Sequence, residues 1–296
     1  CKMVGSWRRL IDDDDRSQIL LAAVGGVALG VALGGFLFQK KDVEVIKARI
    51  YSLPDQVARY NRAKEEKNLR YLEIDKLYKG AYLQGKRVLI TGGNRGLGLA
   101  TTKQLLQDGA SVVVVGRKSS PELEALKAQQ HSLQIITDVD VTDTVALGQT
   151  MVQQIKEPLD IVINNAGYFM EASESLSSLD MEEELKMISV CSLGPLHVTA
   201  ALHNAQLLRA GARVIVISSQ AGSADWRFTQ NPTGGDYGHH MSRAACNIAS
   251  VLMAQELKTK EIPVLILHPG FNQTEMTVCI HCVWICVCVC VRVCVY

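Results

Sequence analysis

Eight residues constrain this chain more than any others: Thr91-Gly92-Gly93-Asn94-Arg95-Gly96-Leu97-Gly98. They follow Arg87-Val88-Leu89-Ile90, an apolar run that reads as a buried strand. They precede Leu99 to Leu106, whose apolar spacing is helical, with Gly109 as a stop. Strand, glycine turn and helix form the context in which such glycines carry meaning. Gly92 permits a tight turn off the strand. Gly96 and Gly98 lack a Cβ, so backbone N–H groups and the helix N-terminus can approach a pyrophosphate closely. The spacing is TGxxxGxG, not GxGxxG. An ordinary Gly-rich turn is the bland alternative, and the flanking strand and helix weigh against it.

Around this turn the chain alternates strand and helix. Apolar runs at 87–91, 111–116, 133–137, 159–163, 213–218 and 263–268 predict strands, with helical patterns between them. Ser120-Pro121 supplies a cap and a first-turn proline. Such alternation predicts a parallel sheet covered by helices on both faces, with ligand at the carboxyl ends of the strands. Three further motifs lie at such ends. Asn164-Asn165-Ala166-Gly167 follows one strand, Ile217-Ser218-Ser219 ends another, and Pro269-Gly270 follows a third, with Thr274 beyond it.

In this order, over roughly Leu83 to Met276, the motifs resemble the short-chain dehydrogenase/reductase family. The resemblance implies a Rossmann-like, doubly wound parallel α/β sheet whose last strand is missing here, leaving the 263–268 edge unpaired. It implies a small-molecule carbonyl or alcohol substrate and a dinucleotide held by Thr91, Gly92, Gly93, Asn94, Arg95, Gly96, Leu97 and Gly98. By the same resemblance Asp140, with Val141 beside it, meets the adenine amine. Asn165, Ala166 and Gly167 line the nicotinamide ribose, and Pro269, Gly270 and Thr274 complete the cofactor site. Arg95 and Arg117, the latter followed by Lys118, stand where the adenine ribose is read. No carboxylate occupies the 117 region. A 2′-phosphate wants cations there, so the expected cofactor is NADP(H).

The proton-transfer set departs from the family pattern. Ser219 matches the family serine. The usual helix entry runs Tyr-x-x-Ser-Lys-Ala-Ala, whereas this chain reads Tyr237-Gly238-His239-His240-Met241-Ser242-Arg243-Ala244-Ala245. Aligning Ser242 puts His239 at the Tyr position and Arg243 at the Lys position. Taking Tyr237 as the catalytic Tyr puts Met241 at the Lys position. A supporting Asn is replaced by Cys191. Imidazole can donate and accept a proton near neutral pH. Arg243 can bind ribose hydroxyls and lower the His239 pKa, yet it cannot relay a proton. Two readings stay open: a carbonyl reductase with an altered acid, and a non-catalytic NADP-binding module.

The remaining chain bounds the setting. Lys and Arg total 31 against 30 Asp and Glu, which gives no support for nucleic-acid binding. Of the nine cysteines only Cys191 and Cys246 fall in the globular part, a reduced-compartment pattern. A first residue other than Met reads as a fragment. Residues 1–18 are polar, with an acidic run at Asp12 to Asp15. Ile19 to Phe38 carries no charge and is long enough for a membrane anchor, with Gly26, Gly30 and Gly34 on one face. Residues 39–82 read as a helical stalk, interrupted at Pro54, with a second helix from Asp55 to Tyr78. Residues 83–276 form the NADP-binding domain. Residues 277–296 alternate Val and Cys, as a TG dinucleotide repeat encodes in any frame, and are read as not native. Cys279, His281 and Cys282 lack zinc spacing, so no metal is expected. Residues 225–236, with Trp226, Arg227 and Phe228, form one wall of the substrate site or an exposed loop. A homo-oligomer through the helices flanking the site is an expectation from resemblance alone.

Overall fold

Four of the six strands are apolar nearly throughout, as parallel strands covered on both faces must be. They are β1 (Arg87–Thr91), β2 (Ser111–Val115), β3 (Leu133–Ile136), β4 (Leu159–Asn164), β5 (Leu208–Ile217) and β6 (Val264–Leu267). The computed structural model describes residues 61–72, 78, 80–170 and 174–269. The sheet order is β3-β2-β1-β4-β5-β6, and every neighbouring pair is parallel. The order reverses between β1 and β4, so the crevice at their carboxyl ends is where a ligand fits.

Period-two alternation sends successive residues of one strand into opposite layers. Leu89, Val113, Val115 and Val162 pack with Met151, Val198 and Leu202 on one face. Val88, Ile90, Val112 and Val114 pack with Leu105, Leu106 and Leu123 on the other. Each such side chain, fully buried, contributes about 1.5–3 kcal/mol of transfer free energy. The first face is covered by α3 (Thr144–Ala146, running on as a π-helix through Leu147–Val152) and α5 (Gly194–Asn204). The second is covered by α1 (Gly96–Gln107) and α2 (Pro121–Gln129). Helix α4 (Met181–Ile188) passes through a π-helical turn, Ser189–Leu193, directly into α5. After β5 come α6 (Ala224–Gln230) and the long α7 (Tyr237–Leu257), which buries Cys246, Met253, Ala254 and Leu257 against β5 and β6.

The expected caps are present. Ser120 Oγ accepts from Leu123 N–H at 3.2 Å, with Pro121 opening α2. Six strands appear where the apolar runs predict them, although β5 begins at Leu208, five residues before the expected 213. Its polar start escapes a pattern test because Arg209, Ala210 and Gly211 are exposed. The expected continuous helix from Asp55 to Tyr78 is not seen in its described part. Helix at 61–65 ends in a turn with Lys67 at φ 50°, and a helical turn, Leu69–Leu72, follows. β3 and β6 are the two edge strands among the described residues. The expected anchor 19–38, the segment 1–18, most of the stalk, Gly270, Thr274 and the tail 277–296 lie outside the described residues. Among the described residues Met181–Asn204 is long and apolar enough to cross a membrane. Its Val198 and Leu202 are fully buried in the domain core, so it serves there as a core helix.

Candidate active site

The turn after β1 is knitted by backbone groups. Asn165 Nδ2 donates to the carbonyls of Thr91 and Gly92 at 3.0 and 3.1 Å. The N–H groups of Asn165 and Ala166 donate to Thr91 Oγ1 at 3.1 and 3.0 Å. Gly92, at φ 66°, lies so close to Ala166 that a Cβ would stand 3.0 Å from its Cα. At Gly98 a Cβ would overlap the Gly92 carbonyl oxygen and meet Asn165 Nδ2 at 2.6 Å. Gly98 therefore seats α1 on the turn and is buried there. Gly96 is exposed and at φ 52°, where α1 begins with no side-chain cap. Its first-turn N–H groups can serve an anion. Asn94 accepts from Ser120 Oγ at 2.7 Å through its carbonyl, which ties α2 to the same turn.

Arg95 and Arg117 are both exposed at the edge of the crevice, with Leu97 half-buried between the glycines. The Arg117 guanidinium stands 3.9 Å from Asp140, whose other oxygen accepts from Thr142 N–H and Oγ1–H. The Val141 side chain is 6% exposed and packs on Gly194, where a Cβ would come within 2.8 Å of it.

Helix α7 carries the second half of the site. Its start is built from afar: Glu174, 3% exposed, accepts the Gly238 N–H at 2.8 Å in place of a local cap. Asp236, at φ 51°, exchanges backbone contacts with Glu174 and turns the chain into the helix. His239 and Arg243, four residues apart, share a face. Arg243 donates to the Ile217 carbonyl at 3.2 Å, and its Nη2 lies 3.4 Å from where a Gly167 Cβ would be. One guanidinium thus spans the ends of β4 and β5. Ser219 follows β5 and accepts from Ala221 N–H at 3.1 Å, opening a short turn whose Gly222 packs on the Arg243 backbone. Ser218 donates to Asn247 at 2.6 Å and locks α7 to the same strand end. Tyr237 is the first helical residue, two positions before His239.

Burial, then the Arg243 cation, push the His239 pKa down to about 4, so its ring is neutral at neutral pH. Its Nδ1 and the Arg243 Nε are buried with no partner among the described residues. Burial and Arg243 also lower the pKa of His268, just before Pro269. The Gly turn, the uncapped helix start, the two edge arginines and the orphaned Arg243 Nε fit a phosphorylated dinucleotide. Among the described residues no cluster of His, Cys, Asp or Glu could hold a metal.

Three neighbours of the site were not picked out as site residues by sequence reading. Phe169 meets His239 edge to face, ring centroids 4.9 Å apart. Tyr168 lies under Lys186, whose Nζ is 4.0 Å from the ring centroid, and donates to Glu183. Glu174 caps α7. The only prior signal was their position just after Asn164-Asn165-Ala166-Gly167, in a segment without periodicity. Cys191 sits in the π-helical turn, where its thiol accepts from Tyr168 N–H and donates to Tyr168 O at 3.3 and 3.2 Å.

Several known proteins are similar to this chain. C-signal of Myxococcus xanthus is 36% identical over 121 residues, covering 40% of this chain and 69% of that protein. The 1-hydroxy-2-glutathionyl-2-methyl-3-butene dehydrogenase of Rhodococcus sp. is 28% identical over 193 residues, 64% of this chain and 79% of that one. Among solved structures, a short chain dehydrogenase from Burkholderia cenocepacia in complex with NADP superposes with TM-score 0.57 at 32% identity, covering 66% and 77% of the two chains. Carbonyl reductase Sniffer of D. melanogaster superposes with TM-score 0.58 at 26% identity, covering 65% and 84%. Residues 86–281 match the short chain dehydrogenase family, the stretch that holds all six strands from β1 onward, and the chain belongs to that family.

Proposed function

We propose that this chain is an NADP(H)-dependent oxidoreductase that reduces a small carbonyl compound, or oxidises the alcohol, while tethered to a membrane through residues 19–38. The observation that carries the reading is the span of Arg243 from Ile217 to Gly167, beside His239 and Ser219. It joins the catalytic helix to the loop that closes the glycine turn. NADP(H) is favoured by Arg95 and Arg117 and by the NADP in complex with the Burkholderia cenocepacia relative.

In this mechanism the bound nicotinamide supplies hydride to the carbonyl carbon. Arg243 orients the ribose with its spare N–H groups. Ser219 Oγ–H and a neutral His239 N–H hold the carbonyl oxygen as negative charge grows on it. Because the imidazolium is scarce at neutral pH, His239 acts as hydrogen-bond donor, and proton delivery falls to Tyr237 at the helix entry. The same depressed pKa favours a second reading, an NADP-binding module without turnover.

The test is oxidation of NADPH by the full chain in detergent, against ketones and aldehydes. Turnover that falls at least tenfold in His239→Ala supports the reductase. NADPH binding without turnover on any substrate leaves the module, and no NADPH binding removes both. Deleting residues 1–38 is expected to move the protein from the membrane fraction to the soluble one. The exposed Met181 and Leu185 of α4 and Ile248 and Leu252 of α7 are consistent with self-association through these helices, which sedimentation of the full chain tests.

A further inference from the structure

Resting on the reductase reading, we propose that the substrate is itself an anion, a carbonyl compound bearing a carboxylate that Arg227 grips. Two guanidinium groups flank His239, and neither has a carboxylate partner among the described residues. Arg243 is committed to Ile217 and the Gly167 loop. Arg227, on α6, donates through Nη1 to His240 Nε2 at 2.7 Å and through Nη2 to Gln230 Oε1 at 2.9 Å. Its Nε is buried without an acceptor. A half-buried cation held only by neutral groups lacks the counter-charge that normally offsets its desolvation.

The holders of Arg227 are themselves fixed. His240 Nδ1 lies 2.7 Å from the Asp236 carbonyl, which can only accept, so Nδ1 carries the proton. Nε2 is then the acceptor for Arg227, and the ring is neutral. His239 and His240 stand edge to face with centroids 5.5 Å apart. The guanidinium therefore lies one imidazole beyond the ring that faces the reacting carbonyl. Of the charged groups acting on His239, Arg243 and Arg227 make its surroundings more positive, against Asp236 alone. One oxygen of Asp236 is taken by the Glu174 N–H at 3.3 Å. A substrate carboxylate would supply the missing acceptor for Nε–H and an adjacent Nη–H in a paired arrangement, and would bring the counter-charge with it. A neutral ketone would leave both unmet. The sequence left residues 225–236 open between pocket wall and exposed loop; this assigns Arg227 to the wall.

The test compares pyruvate, acetoacetate and levulinate with their methyl esters, as substrates for the NADPH-loaded full chain. Each ester keeps the carbonyl and loses the charge. For at least one pair kcat/KM is expected to favour the acid by about 10- to 100-fold, the range of a charge-assisted contact. Arg227→Gln is expected to abolish that preference by raising KM for the acid about 10- to 100-fold more than KM for the ester, and Arg227→Lys to restore part of it. Esters used as well as acids throughout overturn the inference and leave the reductase reading intact; this comparison needs only the wild-type protein. If nothing is turned over, the reductase reading fails, and calorimetry of the three acids with the NADP-loaded protein decides: binding lost in Arg227→Gln upholds the anion site, and no binding refutes it.

Discussion

His239 behaves unlike a free imidazole. Unfolded, it protonates near 6.5; folded, burial and Arg243 hold it to about 4. Between those values the unfolded chain binds the extra proton, so this residue makes stability rise with pH from about 4 to about 6.5 and adds no slope above. A proton NMR titration of His239 should show its midpoint near 4, and denaturant unfolding at acid pH should lose part of its pH dependence in His239→Phe. A midpoint near 6.5 would remove the argument for a neutral donor. Gly98 is as sharply constrained. Gly98→Ala places a methyl against the Gly92 carbonyl and Asn165, so the turn must move. We expect NADPH affinity to fall by more than tenfold while Gly148→Ala, where nothing lies within 4 Å of the added carbon, has no such effect on calorimetric Kd.

At the scale of elements, the strands and the glycine turn could be read from the chain because their signals are local. Val-rich runs such as Ser111–Val115 fix their own burial, and Ser120-Pro121 announces the start of α2. What could not be read depends on distant partners. The start of α7 carries no local side-chain cap, and the carboxylate that replaces one lies 64 residues earlier. Glu174→Ala should destabilise the domain by about 1–3 kcal/mol, since a buried N–H is left unmet. In thermal unfolding that is a drop of several degrees, and unchanged Tm would show the contact to be idle. Glu174 also faces Glu184, whose pKa is raised by burial and by the neighbouring carboxylate. The burial of Val141 depends on a distant partner in the same way: Gly194, on another element, draws its side chain into the core.

The molecule as a whole separates stability from chemistry along the strand direction. At the amino ends of the strands Asp160 accepts from the Arg87 N–H at 2.8 Å and sits within 3.7 Å of Lys86 and 3.5 Å of Arg209. Glu157 pairs with Arg87 at 3.2 Å. Tyr82 lies between Lys86 and Arg213, and Tyr78 donates to Asp108 at 2.7 Å, its own pKa raised to about 12 by burial and that bond. None of these groups reaches the carboxyl ends. Asp160→Ala is therefore expected to cost about 1–3 kcal/mol in urea unfolding with no change in NADPH Kd. A weakened Kd would mean that the two ends are coupled.

The wide turn at Ser189–Leu193 behaves like one surplus residue let into an otherwise regular spiral. The segments on either side keep their inward stripes because the surplus is absorbed locally, as a loop of slack is taken up in a rope. Shortening the chain there by a single residue should leave both stripes in register and the fold standing. It would withdraw the thiol of Cys191 from the backbone of Tyr168, and so loosen the segment that follows Gly167 without disturbing the helices on either side.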